Sequence, residues 1–455
     1  MNNSLAQIDH YIEQHLDESV AELSRLCAQP SVSAQGLGIA QCAELVAGML
    51  RRRGFTAEVR PTPIHPVVVG EARGKRDQTL IFYCHYDVQP PEPLELWDTP
   101  PFEPTLRDGK LYARGVADDK SHIASRLAAL DAVMAVEGEL PCNIKFVIEG
   151  EEEIGSPSLP HFIEANAEAL RGDACIWEAG GVNFRDQPTM TLGMRGIFYV
   201  ELSVETLTQD VHSGMGGSIL PNAAWRLVWA LNSLKDKDER ILIPGWYDDA
   251  KPPSARDMQL LAHLPDNSAD LRQRYGVKEF LKGLQPGVEL RREAVFVPTC
   301  TICGVTTGYQ GKGTKTVLPA RASAKVDFRL VPEQDPADLL VKLRHHLNAQ
   351  GFADVQVEML AGEKPARTDP DHPFIKLVQQ CSLEVFDQEM LVSPIVGGSG
   401  PNHAFVHYLH VPISNTVISY PGSQAHAPNE NIRLDLYLKG TQHTAHIIHH
   451  FAEMS

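Results

Sequence analysis

The chain has 455 residues, of which 43% are apolar and 22% charged, a composition typical of a folded protein rather than a disordered or fibrous one. A chain about three times as long as a usual single domain is expected to form two domains, one of which can interrupt the other. The 41 basic and 58 acidic residues give a formal net charge of −17. Nucleic-acid binders need a cationic surface, so this charge argues against a nucleic-acid partner.

The cysteines and the apolar pattern bear on the compartment. Eight cysteines lie dispersed along the chain, without the dense spacing of secreted disulfide domains, and we expect them to be reduced thiols. The first twenty residues lack the basic start and the apolar core of a signal peptide. No apolar run approaches the roughly 18 residues that a membrane span needs. The sequence therefore predicts a cytoplasmic protein that has no membrane partner.

The first 150 residues predict helices and strands in alternation. From about Ile8 to Arg53 apolar residues three and four apart predict helix that ends at Gly54, and TAEVRP then predicts a strand. QTLIFYCHYDVQP and NIKFVIEGEEEIGS predict buried strands with polar residues at their carboxyl ends. The stretch from Ser121 to Gly138 between them has the length and period of a crossover helix. This order predicts an α/β fold, in which active groups collect beyond the carboxyl ends of the strands.

The pattern changes near Gly196. FYVELSVET and ASAKVDFRLVP alternate polar and apolar residues, as strands with one solvated face do, and AAWRLVWALNSL and DLLVKLRHHLNAQ predict helices among them. From about Pro365 the α/β pattern returns, and YLKGTQHTAHIIHHFAEM predicts a final helix. We therefore predict an α/β catalytic domain, residues 1–195 and 365–455, which an α+β domain, residues 196–364, interrupts.

Carboxylates and histidines cluster at the predicted strand ends. His85 and Asp87 form an H-x-D triplet whose side chains point the same way, which suits a metal-binding imidazole and a carboxylate that holds it. ARGVADDKS and EGEEEIGS add adjacent carboxylates, Glu178 follows another short apolar run, and His426 lies in a Gly/Pro-rich loop. Taken singly, the triplet is more simply explained as a structural histidine and the acidic segments as solvated loops. Together, the carboxylates would repel one another unless cations neutralise them, which favours a hydrolytic two-metal site.

Eight motifs carry a resemblance to a known family. From residue 85 to 431 they are HYDVQP, RGVADDK, EGEEEIGS, DVHSGMGG, GTKTVLP, DFRLVP, GGSGP and AHAPNEN. The sequence resembles the co-catalytic zinc metallopeptidases that include carnosine dipeptidases, glutamate carboxypeptidases, aminoacylases and succinyl-diaminopimelate desuccinylase, and looks most like the carnosine dipeptidase branch. The resemblance implies a zinc-peptidase-like catalytic domain, with a mixed sheet flanked by helices, and an inserted lid and dimerisation domain. One departure is Ser121, where the family usually has glycine.

The resemblance also implies a set of metal ligands. Asp118 would bridge two divalent ions, with His85 and Glu178 completing one site and Glu153 and His426 completing the other. We expect zinc, with manganese or cobalt as alternatives, because sites of nitrogen and oxygen ligands discriminate poorly among these ions. The peptide that follows Asp118 is implied to be cis.

Further residues are implied to act on the substrate. Glu152 would be the general base that activates a metal-bridged water, and Asp87 would orient His85. His212 would reach the oxyanion, often from the partner subunit of a dimer, and Arg329 would bind the terminal carboxylate of the substrate, although an ion pair between strands is the structural alternative for Arg329. Further substrate contacts are expected from Asn222, Thr316 and the backbone amides around Gly398 and Ser399.

The sequence thus predicts a homodimeric enzyme that hydrolyses dipeptides or short peptides with a free C-terminal carboxylate. One alternative is an N-acyl amino acid amidohydrolase that uses the same site. The other is a non-catalytic binding protein of the same fold, although such a protein is expected to have lost ligands that this sequence retains.

Two other patterns are weaker. Cys300 and Cys303 form a C-x-x-C without a second pair or a nearby histidine to complete a zinc site. His443, His446 and His450 share one face of the final helix, which suits either metal binding or a partly packed polar face.

Overall fold

The computed structural model describes residues 3–454, with helices and strands along most of the chain. The helices, in chain order, are α1 Asn3–Gln14, α2 Leu16–Ala28, α3 Ile39–Arg51, α4 Ser121–Glu137, α5 Leu159–Ala165, α6 Ser213–Gly216, α7 Ala223–Asn232, α8 Ala255–His263, α9 Ser268–Tyr275, α10 Val288–Phe296, α11 Pro336–Ala349, α12 Pro373–Phe386, α13 Asn402–Ala404 and α14 Leu434–Phe451.

The strands, in the same order, are β1 Thr56–Arg60, β2 Val67–Ala72, β3 Arg76–His85, β4 Thr105–Arg107, β5 Lys110–Tyr112, β6 Cys142–Glu149, β7 Ala174–Trp177, β8 Gly181–Val182, β9 Pro188–Thr191, β10 Gly193–Met194, β11 Gly196–Glu205, β12 Val211–His212, β13 Thr301–Thr307, β14 Val317–Leu318, β15 Arg321–Leu330, β16 Gln356–Glu363, β17 Ala366–Arg367, β18 Leu391–Ser393, β19 Ile413–Asn415 and β20 Asn431–Arg433. Short π-helical turns occupy Val116–Lys120 and Phe405–Leu409.

The chain divides into two compact units. Unit 1 contains the residues up to Leu192, Arg367–Pro394 and the residues from Pro401, and unit 2 contains Gly193–Ala366 and Ile395–Gly400. The sequence pattern had placed these six residues, Ile395–Gly400, in the catalytic domain, whereas here they group with unit 2. Ile395 is fully buried in a cluster with Leu261 and Phe296, so burial of an apolar side chain assigns the segment to unit 2.

Unit 1 is built on a mixed β-sheet. Its strand order is β1-β2-β6-β3-β7-β19, in which β6, β3, β7 and β19 are parallel and β1 and β2 pair antiparallel. Residues 80–85 of β3 are fully buried, as expected for a parallel strand covered on both faces. The polar ends of β3, β6 and β7 therefore meet at one edge of this sheet.

The predicted helices of unit 1 are confirmed, although the first helical stretch is interrupted twice. The stretch from Ile8 to Arg53 forms α1, α2 and α3, and α2 ends just before Pro30, which disfavours helix in the residue that precedes it. The crossover helix α4 connects β3 to β6 and packs against α1, α2 and α14. Gly138 follows α4 with φ of +82°, a left-handed conformation that glycine adopts without steric cost.

Unit 2 is an antiparallel sheet covered by helices. The strand order is β13-β15-β11-β16, and side chains along β11 alternate between buried and half-buried, as the period-two pattern predicted. Phe198 of β11 and Phe328 of β15 are fully buried with ring centroids 5.4 Å apart. Burying each ring stabilises the fold by about 1.5–3 kcal/mol. The helices α7 and α11 pack on this sheet.

Within the described residues, no helix combines the length and apolar character needed to cross a membrane.

Candidate active site

Side chains from five segments of unit 1 meet at the edge of the sheet where the parallel strands end. His85 is the last residue of β3, Glu178 follows β7, and Glu153 lies in a 3-10 turn just after β6. Asp118 lies in the π-helical turn before α4, where the peptide to the next residue is cis, as the resemblance implied. His426 lies in the loop before β20 with φ of +61°.

The two carboxylate oxygens of Asp118 face two different groups of side chains. Its Oδ1 lies 3.0 Å from Nε2 of His85, and that nitrogen is 3.6 Å from the carboxylate of Glu178. Its Oδ2 lies 3.0 Å from Nε2 of His426, which is 3.1 Å from the carboxylate of Glu153. The five side chains predicted as metal ligands therefore lie together, in two groups that share Asp118.

The donor set fits two divalent cations. It combines imidazole nitrogens with carboxylate oxygens, the ligands that zinc accepts alongside thiolates. Oε2 of Glu178 is buried, and within the described residues it has no hydrogen-bond partner. Burial also raises the pKa of Glu178 well above its usual value, because a charged carboxylate is poorly solvated there. A bound cation would give the unpaired oxygen of Glu178 a partner and would stabilise the charged form of this carboxylate.

The carboxylates favour positive charge at both imidazoles. Burial lowers the pKa of His85, but the neighbouring Glu178 and a hydrogen bond to Asp118 outweigh it and raise that pKa well above its usual value. Hydrogen bonds to Asp118 and Glu153 raise the pKa of His426 to about 10. The negative potential that draws protons to these rings would attract metal cations in the same way.

Asp87 holds both His85 and the turn after β6. Nδ1 of His85 donates to the backbone carbonyl of Asp87 at 3.0 Å, which leaves Nε2 of the neutral ring unprotonated and directed toward Asp118. The Asp87 carboxylate accepts hydrogen bonds from the backbone amides of Glu152 at 3.3 Å and Glu153 at 3.0 Å. One residue, through its backbone carbonyl and its carboxylate, thus fixes parts of the site that follow two different strands.

Glu152 has the environment of a group that exchanges protons near neutral pH. Burial raises its pKa to about 7, and the negative charges of Asp118 and Glu153 act in the same direction, while His85 opposes them. A carboxylate with a pKa in this range can take up a proton and release it again during one reaction cycle.

Residues of unit 2 form two further polar groups. His212 and Thr316 are neighbours because β12 pairs with β14, and Nε2 of His212 lies 3.2 Å from the Thr316 hydroxyl. Nδ1 of His212 accepts from the backbone amide of Gly214 at 3.1 Å, so the neutral ring donates through Nε2. The side chain of Asn222 accepts from the backbone amide of Trp225 at 3.2 Å and caps α7.

The second group surrounds Arg329 on β15. Its Nη1 donates to the hydroxyl of Ser399 at 2.9 Å, and its Nε donates to Asp327 on the same strand at 3.1 Å. An ion pair is therefore present, although it lies within β15 rather than between strands. Gly398, also in the segment that joins unit 2, accepts from the backbone amide of Arg195 at 2.9 Å.

A comparison with protein families agrees with this geometry. The profile of Peptidase family M20/M25/M40 matches residues 81–450, which include all five predicted ligands and Glu152. The chain belongs to this family.

Relatives in the M20/M25/M40 family resemble the chain over nearly its whole length. The M20 family metallo-carboxypeptidase Sso-CP2 from Sulfolobus solfataricus has 34% sequence identity and a TM-score of 0.89, over 96% of this chain and 100% of its own. Beta-Ala-His dipeptidase from Mus musculus is 29% identical over 472 residues, which are 96% of this chain and 94% of its own. Cys-Gly metallodipeptidase dug1 from Schizosaccharomyces pombe is 26% identical over 483 residues, 100% of both chains.

These findings confirm the predicted family, its dipeptidase branch and the fold class. The protein is an M20 metallopeptidase, as predicted, so the alternative of a non-catalytic binding protein is set aside. The amidohydrolase alternative is not favoured, because each of these three relatives is named as a dipeptidase or a carboxypeptidase.

Sequence reasoning missed Glu430, which anchors the loop that carries Asp118. Glu430 is fully buried, and its oxygens accept from the backbone amides of Gly115 at 2.8 Å, Ala117 at 2.8 Å and Asp118 at 3.0 Å. The buried Arg114 donates to it at 2.7 Å. The available signal was its place in the AHAPNEN motif, four residues after His426.

Arg195 of unit 2 was also missed. It is buried, and its guanidinium donates to the backbone carbonyls of Val297 at 2.6 Å, Ala294 at 3.0 Å and Arg329 at 3.1 Å. Arg195 thereby holds the backbone of the residue predicted to bind the substrate carboxylate. The only signal in the sequence was its position in GMRG, just before the alternating strand pattern begins.

Proposed function

We propose that this metallopeptidase hydrolyses the peptide bond of dipeptides or short peptides with a free C-terminal carboxylate. The observation that carries the proposal is the pair of ligand groups that share Asp118, with Glu152 beside them. Relatives named for Beta-Ala-His and Cys-Gly dipeptidase activity support dipeptides as the substrate class.

We assign the ligands of two divalent ions to the two groups. His85 and Glu178 would hold one ion and Glu153 and His426 the other, with Asp118 shared between them. When bound, the ions would acidify a water molecule and polarise the scissile carbonyl. Zinc is our first choice, with manganese and cobalt as alternatives.

Residues of the chain would transfer the proton of the attacking water. The Glu152 carboxylate would take the proton of the attacking water and later deliver it to the leaving amine, a role typically worth about 10²- to 10⁴-fold in rate. Asp87 would keep the His85 ring in the tautomer that offers Nε2 to a metal.

The groups of unit 2 would bind the substrate. Arg329 suits a terminal carboxylate because its guanidinium can bind both oxygens at once. His212 would donate to the oxyanion that forms from the scissile carbonyl, and its Nε2 proton favours that role. Further contacts are assigned to Asn222, Thr316, Gly398 and Ser399.

We also propose that unit 2 is the lid and dimerisation domain and that the enzyme is a homodimer. Trp225, Val228 and Trp229 on α7 are 58%, 46% and 55% exposed, and Ile302 and Val305 on the edge strand β13 are 52% and 48% exposed. Apolar patches and open strand edges of this kind are typical of association surfaces. A cytoplasmic location remains a prediction from the sequence.

The test replaces Glu152 by glutamine in the full chain. We expect hydrolysis of a dipeptide panel to fall about 10²-fold or more while the metal content stays at the wild-type value. Glu164→Gln on α5, whose side chain is exposed, is the matched control and should behave as wild type. Unchanged turnover in Glu152→Gln would remove Glu152 as the base, and acyl amino acids preferred over dipeptides would move the enzyme to the deacylases.

A further inference from the structure

A second cluster of potential ligands lies in unit 1, on two helices that pack together. Cys381 and Glu384 are three residues apart on α12, and His446 and His450 are four apart on α14. These spacings place each pair on one face of its helix. None of the four residues belongs to the candidate active site.

Three of these residues bring their ligand atoms together. The Cys381 thiol, the Glu384 carboxylate and a ring nitrogen of His450 all lie within 4.8 Å of one another. Ligands around a tetrahedral zinc ion, at about 2.0–2.3 Å from the metal, are about 3.3–3.8 Å apart. Side-chain adjustments of roughly 1 Å would therefore close this group around an ion.

His446 and Asp9 orient the carboxylate of this cluster. Nδ1 of His446 lies 3.0 Å from Oε2 of Glu384, and its Nε2 lies 3.1 Å from Asp9. A histidine held between two carboxylates accounts for these contacts as an ion pair, without any metal. It does not account for the other two members of the cluster.

Those two members are Cys381 and His450. Cys381 is buried, yet it lies beside a carboxylate and an imidazole rather than only among apolar groups. Nε2 of His450 is buried and, within the described part of the chain, makes no hydrogen bond, although it lies 3.5 Å from Glu384. A buried imidazole nitrogen without a partner is destabilising, and coordination would satisfy it.

We propose that Cys381, Glu384 and His450 form a third metal site, for one zinc-like divalent cation, that links α14 to α12. A thiolate ligand selects zinc, cobalt or cadmium over magnesium, calcium and manganese. The candidate active site offers nitrogen and oxygen ligands alone, so sulfur ligation distinguishes the two places. Binding would replace the thiol proton of Cys381, which is released to solvent.

The test uses cobalt(II) as the probe, because thiolate ligation gives it an intense near-ultraviolet charge-transfer band that nitrogen and oxygen ligands do not give. Full-length metal-stripped protein is titrated with cobalt. We expect the intensity of the band to correspond to one thiolate-bound ion per chain, and we expect it to be reached within about three added ions, because the candidate active site also binds cobalt. Cys381→Ser should abolish it, whereas Cys303→Ser, which removes the exposed cysteine of β13, should leave it unchanged.

Two further variants keep the proposal testable if Cys381→Ser does not fold. His446→Gln removes the residue that orients Glu384 and should weaken cobalt binding about 10- to 100-fold. His450→Gln removes a ligand and should weaken it more. Absence of the band in the wild-type protein, or its persistence in Cys381→Ser, would overturn the third site and would leave the proposed dipeptidase function untouched.

Discussion

At the scale of single residues, the site depends on carboxylates that act on other ligands rather than on the substrate. Asp87 fixes His85 through its backbone carbonyl and the turn after β6 through its carboxylate. Glu430 holds the backbone around Asp118 in a comparable way. Replacing Asp87 or Glu430 is therefore expected to displace metal ligands, although neither residue is itself assigned as a ligand.

We predict that Glu430→Gln weakens metal binding about 10- to 100-fold. The substitution keeps the volume but turns an oxygen acceptor into a donor facing backbone amides, and it leaves the buried charge of Arg114 unpaired, at a cost of about 3–5 kcal/mol in stability. Chelator competition and urea unfolding measure the two effects.

Glu103→Gln, a change at an exposed position, is the control for Glu430→Gln and should alter neither quantity. If Glu430→Gln kept wild-type metal affinity, the Asp118 loop would hold its shape without this anchor.

The sequence predicted the five grouped ligands from residue type and motif, but not Glu430. The ligands could be recognised because imidazoles and carboxylates occur together at several strand ends, within motifs that resemble those of a known family. The role of Glu430 depends on backbone amides more than 300 positions earlier in the chain, and no local pattern reports such a contact. Hydrogen bonds to backbone also place no demand on the identity of the partner side chain.

At the scale of secondary-structure elements, α14 shows how burial changes a histidine. The face that carries His443 was expected either to bind metal or to form a partly packed polar surface. His443 is fully buried, and its Nε2 donates to the backbone carbonyl of Val378 on α12 at 3.0 Å. Burial lowers its pKa to about 4.

This shift predicts an acid-dependent loss of stability. An unfolded histidine takes up its proton near pH 6.5, whereas folded His443 resists it down to about pH 4, so the stability is intact above pH 6.5 and falls as the pH drops between these values. Between pH 7 and pH 5 the free energy of unfolding should fall by about 2 kcal/mol from this residue.

His443→Gln keeps a hydrogen-bond donor but cannot titrate, so its stability should depend less on pH over that range. Urea unfolding of both proteins at pH 7 and pH 5 gives the comparison. An equal pH-dependent loss in the two proteins would show that other groups cause it.

Element boundaries within the amino-terminal half and the sheet of unit 2 were largely predictable, because apolar spacing differs between helix and strand. The short segment Ile395–Gly400 was not, since a few residues carry no period. Its assignment depends on the pocket that receives Ile395, which only the folded chain contains.

At the scale of the whole molecule, the proposed homodimer gives a direct prediction. Trp229 on α7 is 55% exposed, and its ring stacks on the ring of Trp225, with the two ring centroids 5.9 Å apart. Trp229→Glu should place a charge in the apolar patch and shift the molecular mass measured by sedimentation from two chains to one.

Val341→Glu is the control for Trp229→Glu, because Val341 is 65% exposed on a different helix, α11. A wild-type dimer that survives Trp229→Glu would place the interface elsewhere. If His212 acts across the dimer, the monomeric variant should also lose most of its peptidase activity while retaining its metals.

Because Ile395–Gly400 belongs to unit 2, this unit cannot be exchanged between proteins as one continuous segment. The polypeptide passes between the two units at residues 192–193, 366–367, 394–395 and 400–401, rather than only at the two ends of one insertion. A shortened chain in which a linker replaces residues 193–366 would leave Ile395 without the apolar side chains that bury it. Transplanting unit 2 between family members therefore requires that residues 193–366 and 395–400 are transferred together.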